Sequence, residues 1–236
     1  MADDGIAIRS TGVPAGAALP VQRREFLIRM YQHLLGALLA FVVLELFYFS
    51  TGLAETIAGA LLSVDWLIVL GGFMVAGWVA RGFAGSPRSK GMQYLGLGTY
   101  VLAESVIFVP LLWVANAFAP GVITSAASLT VLAFVGLTVI ALRTDADFTF
   151  LSSLMRWGGI VAMVAIVGAL LFGFALGTWF SVAMVALAGA AVLYDTSRAL
   201  KTLPDDAYVS AALELFASGA PMFWYLIRLL MARSSD

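Results

Sequence analysis

The sequence has no cysteine, and His33 is the single histidine among its 236 residues. Without thiols there is no disulfide framework, thiolate metal site or iron–sulfur cluster. One imidazole cannot assemble a zinc centre alone. Charge is also scarce. Asp, Glu, Lys and Arg together make up 11% of the chain and leave a net charge of −1, so no global field points to nucleic acid. These absences exclude most metalloenzyme classes. We expect no cofactor, no nucleic-acid partner and no enzymatic activity, and the sequence assigns no metal site.

What the chain does contain is apolar. Hydrophobic residues are 62% of the total and the mean hydropathy is +0.99, far from soluble values. A bilayer core about 30 Å thick needs about 20 apolar residues per helix. Runs of that order occur at Met30–Thr51, Trp66–Phe83, Tyr94–Val114, Val122–Leu142, Trp157–Leu176, Phe180–Tyr194 and Val209–Met231. Lipid satisfies no backbone polar group, so such runs are helices. The reading is an all-α polytopic membrane protein with seven transmembrane helices. Residues 1–24, rich in Gly, Ala and Pro over Met1–Pro20, form a disordered cytoplasmic tail, and residues 25–236 form the seven-helix domain. The N-terminus lacks the charged-then-apolar order of a cleavable signal, so the first helix is expected to stay in the membrane.

Basic residues set the expected orientation. Arg9, Arg23, Arg24 and Arg29 precede the first helix; Arg81, Arg88 and Lys90 fall between the second and third. Arg143 and Arg156 fall between the fourth and fifth, Arg198 and Lys201 between the sixth and seventh. The intervening loops carry no Lys or Arg. The alternation places the N-terminus in the cytoplasm of a cell whose plasma (inner) membrane holds the chain. Arg228 and Arg233, on the outer side, are the one departure.

With that topology Arg81, Asp195 and Glu214 share one depth near the cytoplasmic ends of three helices. Glu104 lies near the middle of the third helix, and Glu45 towards the outer part of the first. Charges within membrane helices are costly and usually face an internal path or pair with one another. Simpler readings stand beside this one. Asp195 marks the membrane edge, Arg81 snorkels to the interface, and Glu214 reaches the same interface. Glu104 has the weakest such alternative, since a mid-helix carboxylate has nowhere to snorkel. His33, Trp66, Trp157 and Trp179 read as interfacial residues.

Two seven-helix or intramembrane classes fail on residue inventory. A retinal protein needs a lysine in its last helix, but Lys90 and Lys201, the two lysines, lie in loops. An intramembrane protease needs a dyad that the single histidine does not supply. A proton-coupled ion or small-solute transporter and a non-conducting membrane scaffold both remain open.

Three stretches carry a family resemblance. "LRTDADFTFLSSLMRWGGIVAMVAIVGALLF" is similar to the fourth-to-fifth helix segment of the Bax inhibitor-1 (TMBIM) family. "VLYDTSRAL" resembles that family's sixth-helix Tyr-Asp-Thr-Gln signature, with Ser197 in place of the Gln. "AALELFASGAPMFWYLIRLL" resembles its last helix. The resemblance covers roughly residues 25–231. It implies six helices around a central seventh, and a pH-sensitive calcium leak channel. Eukaryotic relatives suppress cell death by lowering stored calcium.

The family's sixth-helix aspartate pairs with one in the seventh helix, and a second-helix arginine can latch the closed state. Asp195 matches the first aspartate and Arg81 the arginine, while Ser218 occupies the second aspartate's position. A diacid works because two like charges at close range do not both ionise cheaply. Ser218 cannot supply that effect, but Glu214, four residues earlier, lies on the same helix face. Pro221 lacks an N–H and frees the carbonyl of Ala217. The expected ion pathway and gate are therefore Asp195, Glu214, Ser218, Arg81 and Glu104, acting on calcium or another hard cation, for which carboxylates and carbonyls are suited ligands.

Overall fold

The computed structural model describes residues 21–86, 89–144, 146, 148 and 150–234. The expected disorder of Met1–Pro20, the loop residue Arg88, and Asp145, Asp147 and Thr149 of the loop motif lie outside the described residues. Eight helices follow in order among them: α1 (Val21–Thr51), α2 (Leu53–Ser63), α3 (Trp66–Ala84), α4 (Lys90–Phe118), α5 (Val122–Arg143), α6 (Phe150–Phe172), α7 (Thr178–Lys201) and α8 (Tyr208–Ser234). All but α2 are long and apolar enough to cross a bilayer. The chain is an all-α polytopic membrane protein.

Several boundaries depart from the sequence expectation; α6 runs over Phe150–Phe172 in place of the expected Trp157–Leu176, and α4 extends beyond Tyr94–Val114 to Lys90–Phe118. Helix α1 begins at Val21, so residues 21–24, expected in the tail, are helical. Helix α2 is new. Gly52 takes a left-handed conformation (φ 76°) that ends α1, and the following 11 residues are too short to span a bilayer. Its Ala54 and Ala58 instead pack with Tyr48 and Val109 on the flanks of α1 and α4. Finally, α7 continues past Asp195 to Lys201. The carboxylate therefore lies inside a helix and not where the helix stops.

Caps fix the helix starts. Asp65 accepts from the Leu67 N–H at 2.8 Å to begin α3, and Ser89 accepts from the Met92 N–H at 3.4 Å to begin α4. At one end of the bundle, here termed the basic end, loops are tied by cations. Arg23 donates to the carbonyls of Ala199 and Leu203 and pairs with Asp205 at 3.3 Å. Lys90 donates to the Asp206 carbonyl, and Lys201 to that of Ala146 at 2.8 Å. His33 sits here too, its Nε2 3.0 Å from the Tyr94 hydroxyl.

Helix α8 is the central element. It packs against α1, α3, α4, α5 and α7. Small residues allow the approach: Ala211, Ala212, Ala217 and Ser218 are all buried. Helix α4 is the second core helix, buried over Tyr100–Val101, Glu104–Ser105 and Ile107–Pro110. Gly96 lets α3 and α4 touch through their backbones; a Cβ there would stand 2.5 Å from the Ala80 carbonyl oxygen. Helix α6 takes an outer position. It lies along α7, touches α3, and among the described residues makes no close backbone approach to α4 or α8. That separation leaves a cavity, described below.

Candidate functional site: a polar cluster in the bundle

Sequence reasoning singled out Arg81, Glu104, Asp195, Glu214 and Ser218, and the fold brings all of them into one region. Helix α7 is antiparallel to α8 across their shared boundary. Asp195 lies six residues before the end of α7 and Ser218 ten residues into α8, about 9 and 15 Å along their axes from the basic end. The two side chains meet: Ser218 Oγ donates to Asp195 Oδ2 at 2.5 Å. On α7, Gly189 is buried between Leu137 of α5 and Met222 of α8; a Cβ there would stand 3.3 and 3.8 Å from them.

Arg81 and Glu214 form the second contact. Arg81 Nε donates to Glu214 Oε2 at 3.3 Å, joining α3 to α8. The guanidinium does not snorkel to the basic end. It folds back along α3, and its Nη1 comes within 3.4 Å of the place a Cβ would take on Gly77, a full turn deeper. There its central carbon lies 5.2 Å from the ring centre of Tyr100. Glycine at position 77 leaves that path clear.

Tyr100 is the member that sequence reasoning missed. The available signal was its spacing: it precedes Glu104 by four residues and so shares its helix face. Glu104 is buried at 4% exposure, beside Tyr100 and within electrostatic reach of Arg81, while its Oε2 has no hydrogen-bond partner among the described residues. Asp195 lies within electrostatic reach of Glu214, Arg198 and Arg81. Three cationic or hydroxyl donors and three carboxylates thus converge from α3, α4, α7 and α8.

Towards the far end, the packing changes character. Tyr100 meets Phe73 and Phe216, each with ring centres 6.1 Å apart. Beyond this aromatic layer opens a cavity of about 720 Å³ between α3, α4, α7, α8 and the outer α6. Glu104 lines it, as do Pro110 and Pro221, the prolines inside α4 and α8. Each proline leaves a carbonyl four residues earlier, of Val106 and Ala217, without its helical donor.

Glu45 stands apart from this group. It is buried on α1, and neither carboxylate oxygen has a partner among the described residues. No group of three or more His, Cys, Asp or Glu able to hold a metal ion occurs among the described residues. The polar cluster therefore gathers charged and hydroxyl groups, with one carboxylate from each of α4, α7 and α8, but forms no closed coordination shell among the described residues.

The profile of the family described as "Inhibitor of apoptosis-promoting Bax1" matches residues 23–235. Uncharacterized proteins of Neisseria meningitidis serogroup A (strain Z2491) and serogroup B (strain MC58) are each 27% identical over 143 residues. That stretch is 59% of this chain and 63% of each relative, so the chain spans less than two thirds of the relatives it matches.

Proposed function

From the premise that this chain belongs to the Bax inhibitor-1 family, we propose that it is a pH-sensitive calcium (cation) leak channel of the plasma or inner membrane, and not an enzyme. Its N-terminus is cytoplasmic, which puts the basic end inside. The single observation that carries the reading is the double closure of α8. Asp195–Ser218 joins it to α7, and Arg81–Glu214 joins it to α3 at neighbouring depth. A cation moving along α8 meets carboxylates at Glu104, Glu214 and Asp195, which suit a hard cation. Arg81 stands among them as a tethered countercharge.

In this reading the structure corresponds to a closed state. The far-end cavity reaches Glu104, and the Tyr100–Arg81–Glu214 layer blocks the way to the basic end. Releasing Arg81 from Glu214 opens the layer. Asp195 is the proton-responsive member, because a carboxyl changes from acceptor to donor when protonated and must then rearrange its bond with Ser218.

The test is reconstitution into liposomes loaded with a calcium dye, with influx recorded at several pH values. Parent protein should admit calcium with a rate that depends on pH, and Asp195→Asn should flatten that dependence. Proton flux in fixed ratio to a second solute would identify a coupled transporter instead. An absence of flux at every pH, from protein shown to be folded and inserted, would identify a scaffold.

A further inference from the structure

The far-end cavity has features that calcium passage does not use. At about 720 Å³ it falls within the range of about 300–1,000 Å³ typical of small-molecule sites. Its walls include the rings of Trp66, Phe73, Phe108, Phe174, Trp224 and Tyr225. Several are held in fixed relation to one another. Trp66 stacks on Trp224 at 6.3 Å between ring centres, and Trp224 stands edge-on to Phe108 at 5.0 Å. Aromatic faces carry negative potential and attract cations, most strongly where water is excluded.

Glu104 supplies the second, independent observation. Its side chain is almost fully buried, it lines the same cavity, and its Oε2 is unpartnered among the described residues. Tyr100 hydrogen-bonds the Glu104 carboxyl, but Oε2 is left unanswered, and a carboxylate oxygen without a partner inside a membrane bundle is costly and marks a place for a charged partner. Arg81 is within its electrostatic reach but is bonded to Glu214, on the other side of the Tyr100 layer.

The chemistry of the lining decides what that partner is. A hard divalent cation takes about 6–8 oxygen ligands, and Glu104 is the one carboxylate on this cavity's walls among the described residues. A lipid acyl chain would leave Glu104 unanswered. An anion is disfavoured by Glu104, although Arg228 also lines the cavity, nearer the far end, 6.0 Å from the ring centre of Tyr225. We infer that this cavity is a binding site for lipophilic organic cations, whose apolar groups lie against the aromatic rings while the positive centre faces Glu104. The inference does not rest on calcium conduction.

Equilibrium dialysis of the full chain in detergent, with protein-free micelles as the blank, tests it. The probes are tetraphenylphosphonium and tetraphenylborate, which share size and shape and differ in the sign of charge. The parent should bind the cation at least tenfold more tightly than the anion. Glu104→Gln should remove most of that preference, and Arg228→Ala should strengthen cation binding by removing a like charge. Should Glu104→Gln not fold, Trp224→Leu serves in its place, with a loss of cation affinity of fivefold or more. Equal or tighter binding of the anion by the parent overturns the inference. So does cation binding no greater than in the blank, and so does unaltered cation affinity in the folded variants. Calcium flux measured on the same preparations separates this result from the channel reading, since either can fail while the other stands.

Discussion

Ser218 and Asp195 face each other across the α7–α8 boundary, with Oγ donating to Oδ2 at 2.5 Å. The position that carries a second aspartate in the resembled family therefore points at the retained first one. A hydroxyl answers the carboxylate in place of a second acid. It donates one hydrogen bond and brings no charge, so the like charge that Asp195 feels comes from Glu214, four residues before Ser218 on α8.

Ser218→Asp should restore a pair of carboxyls that share a proton. Two such groups at hydrogen-bonding distance titrate as a coupled unit, and one proton is held far more tightly than by an isolated acid. Calcium flux through the variant should respond more steeply to pH across the neutral range than flux through the parent. Identical pH profiles for folded parent and variant would remove position 218 from the gate.

Close packing of α3 on α4 predicts a stability contrast between two glycines two residues apart. A Cβ on Gly96 would meet the Ala80 carbonyl oxygen and the Ala84 nitrogen at 2.5 Å, and backbone atoms cannot yield. Gly96→Ala should cost about 1–3 kcal/mol through forced separation of the helices. Gly98 has open space around it, so Gly98→Ala should stabilise by about 0.5–1 kcal/mol through helix propensity. Thermal unfolding in detergent checks both, and equal midpoints would contradict the contact.

The seven spans were legible because length and hydropathy alone specify them: a run of about 20 apolar residues has no other stable form in lipid. Helix α2 was not, since its 11 residues are neither a span nor a polar loop. The depths of Arg81, Asp195 and Glu214 followed from counting residues along each helix. Rotation about each helix axis did not. In lipid both the buried and the outward faces are apolar, as the buried Phe108 and exposed Trp78 illustrate, so the pattern that orients a soluble amphipathic helix is weak. Hence the sequence left open whether Arg81 snorkels, and the answer depends on Gly77 and Tyr100, which carry no charge. The cavity was invisible for a related reason. It exists because α6 stands off from α4 and α8, and no residue in α6 announces that.

Glu45 gives a prediction free of the gate. Both of its oxygens are buried and unpartnered among the described residues, and such a group costs about 1–3 kcal/mol when nothing answers it. Replacing it with leucine removes the polar atoms at similar volume. Glu45→Leu should raise the unfolding midpoint in detergent and leave calcium flux unchanged. A lowered midpoint would mean that a water or ion satisfies Glu45 in the membrane, and lost flux would put α1 on the conduction path.

The Arg81–Glu214 pair separates a stabilising role from a gating one. Its side chains remain 44% and 36% exposed at 3.3 Å. Where water from the basic end reaches both charges, such a pair contributes about 0–1 kcal/mol, because water competes for them and ordering two long side chains costs entropy. Arg81→Gln, Glu214→Gln and the double variant should therefore unfold within about 1 kcal/mol of the parent, with a coupling of the same small size. Flux should behave differently. If the pair holds the Tyr100 layer shut, either single variant raises calcium influx several-fold, and the double variant rises no further because the contact is already gone. The energy that holds a gate shut needs only to match thermal populations, so a weak pair suffices: about 1.4 kcal/mol is a tenfold change in the open fraction. Additive effects of the two substitutions would mean that they act separately. Unaltered influx in both would leave Arg81–Glu214 as a surface tie between α3 and α8.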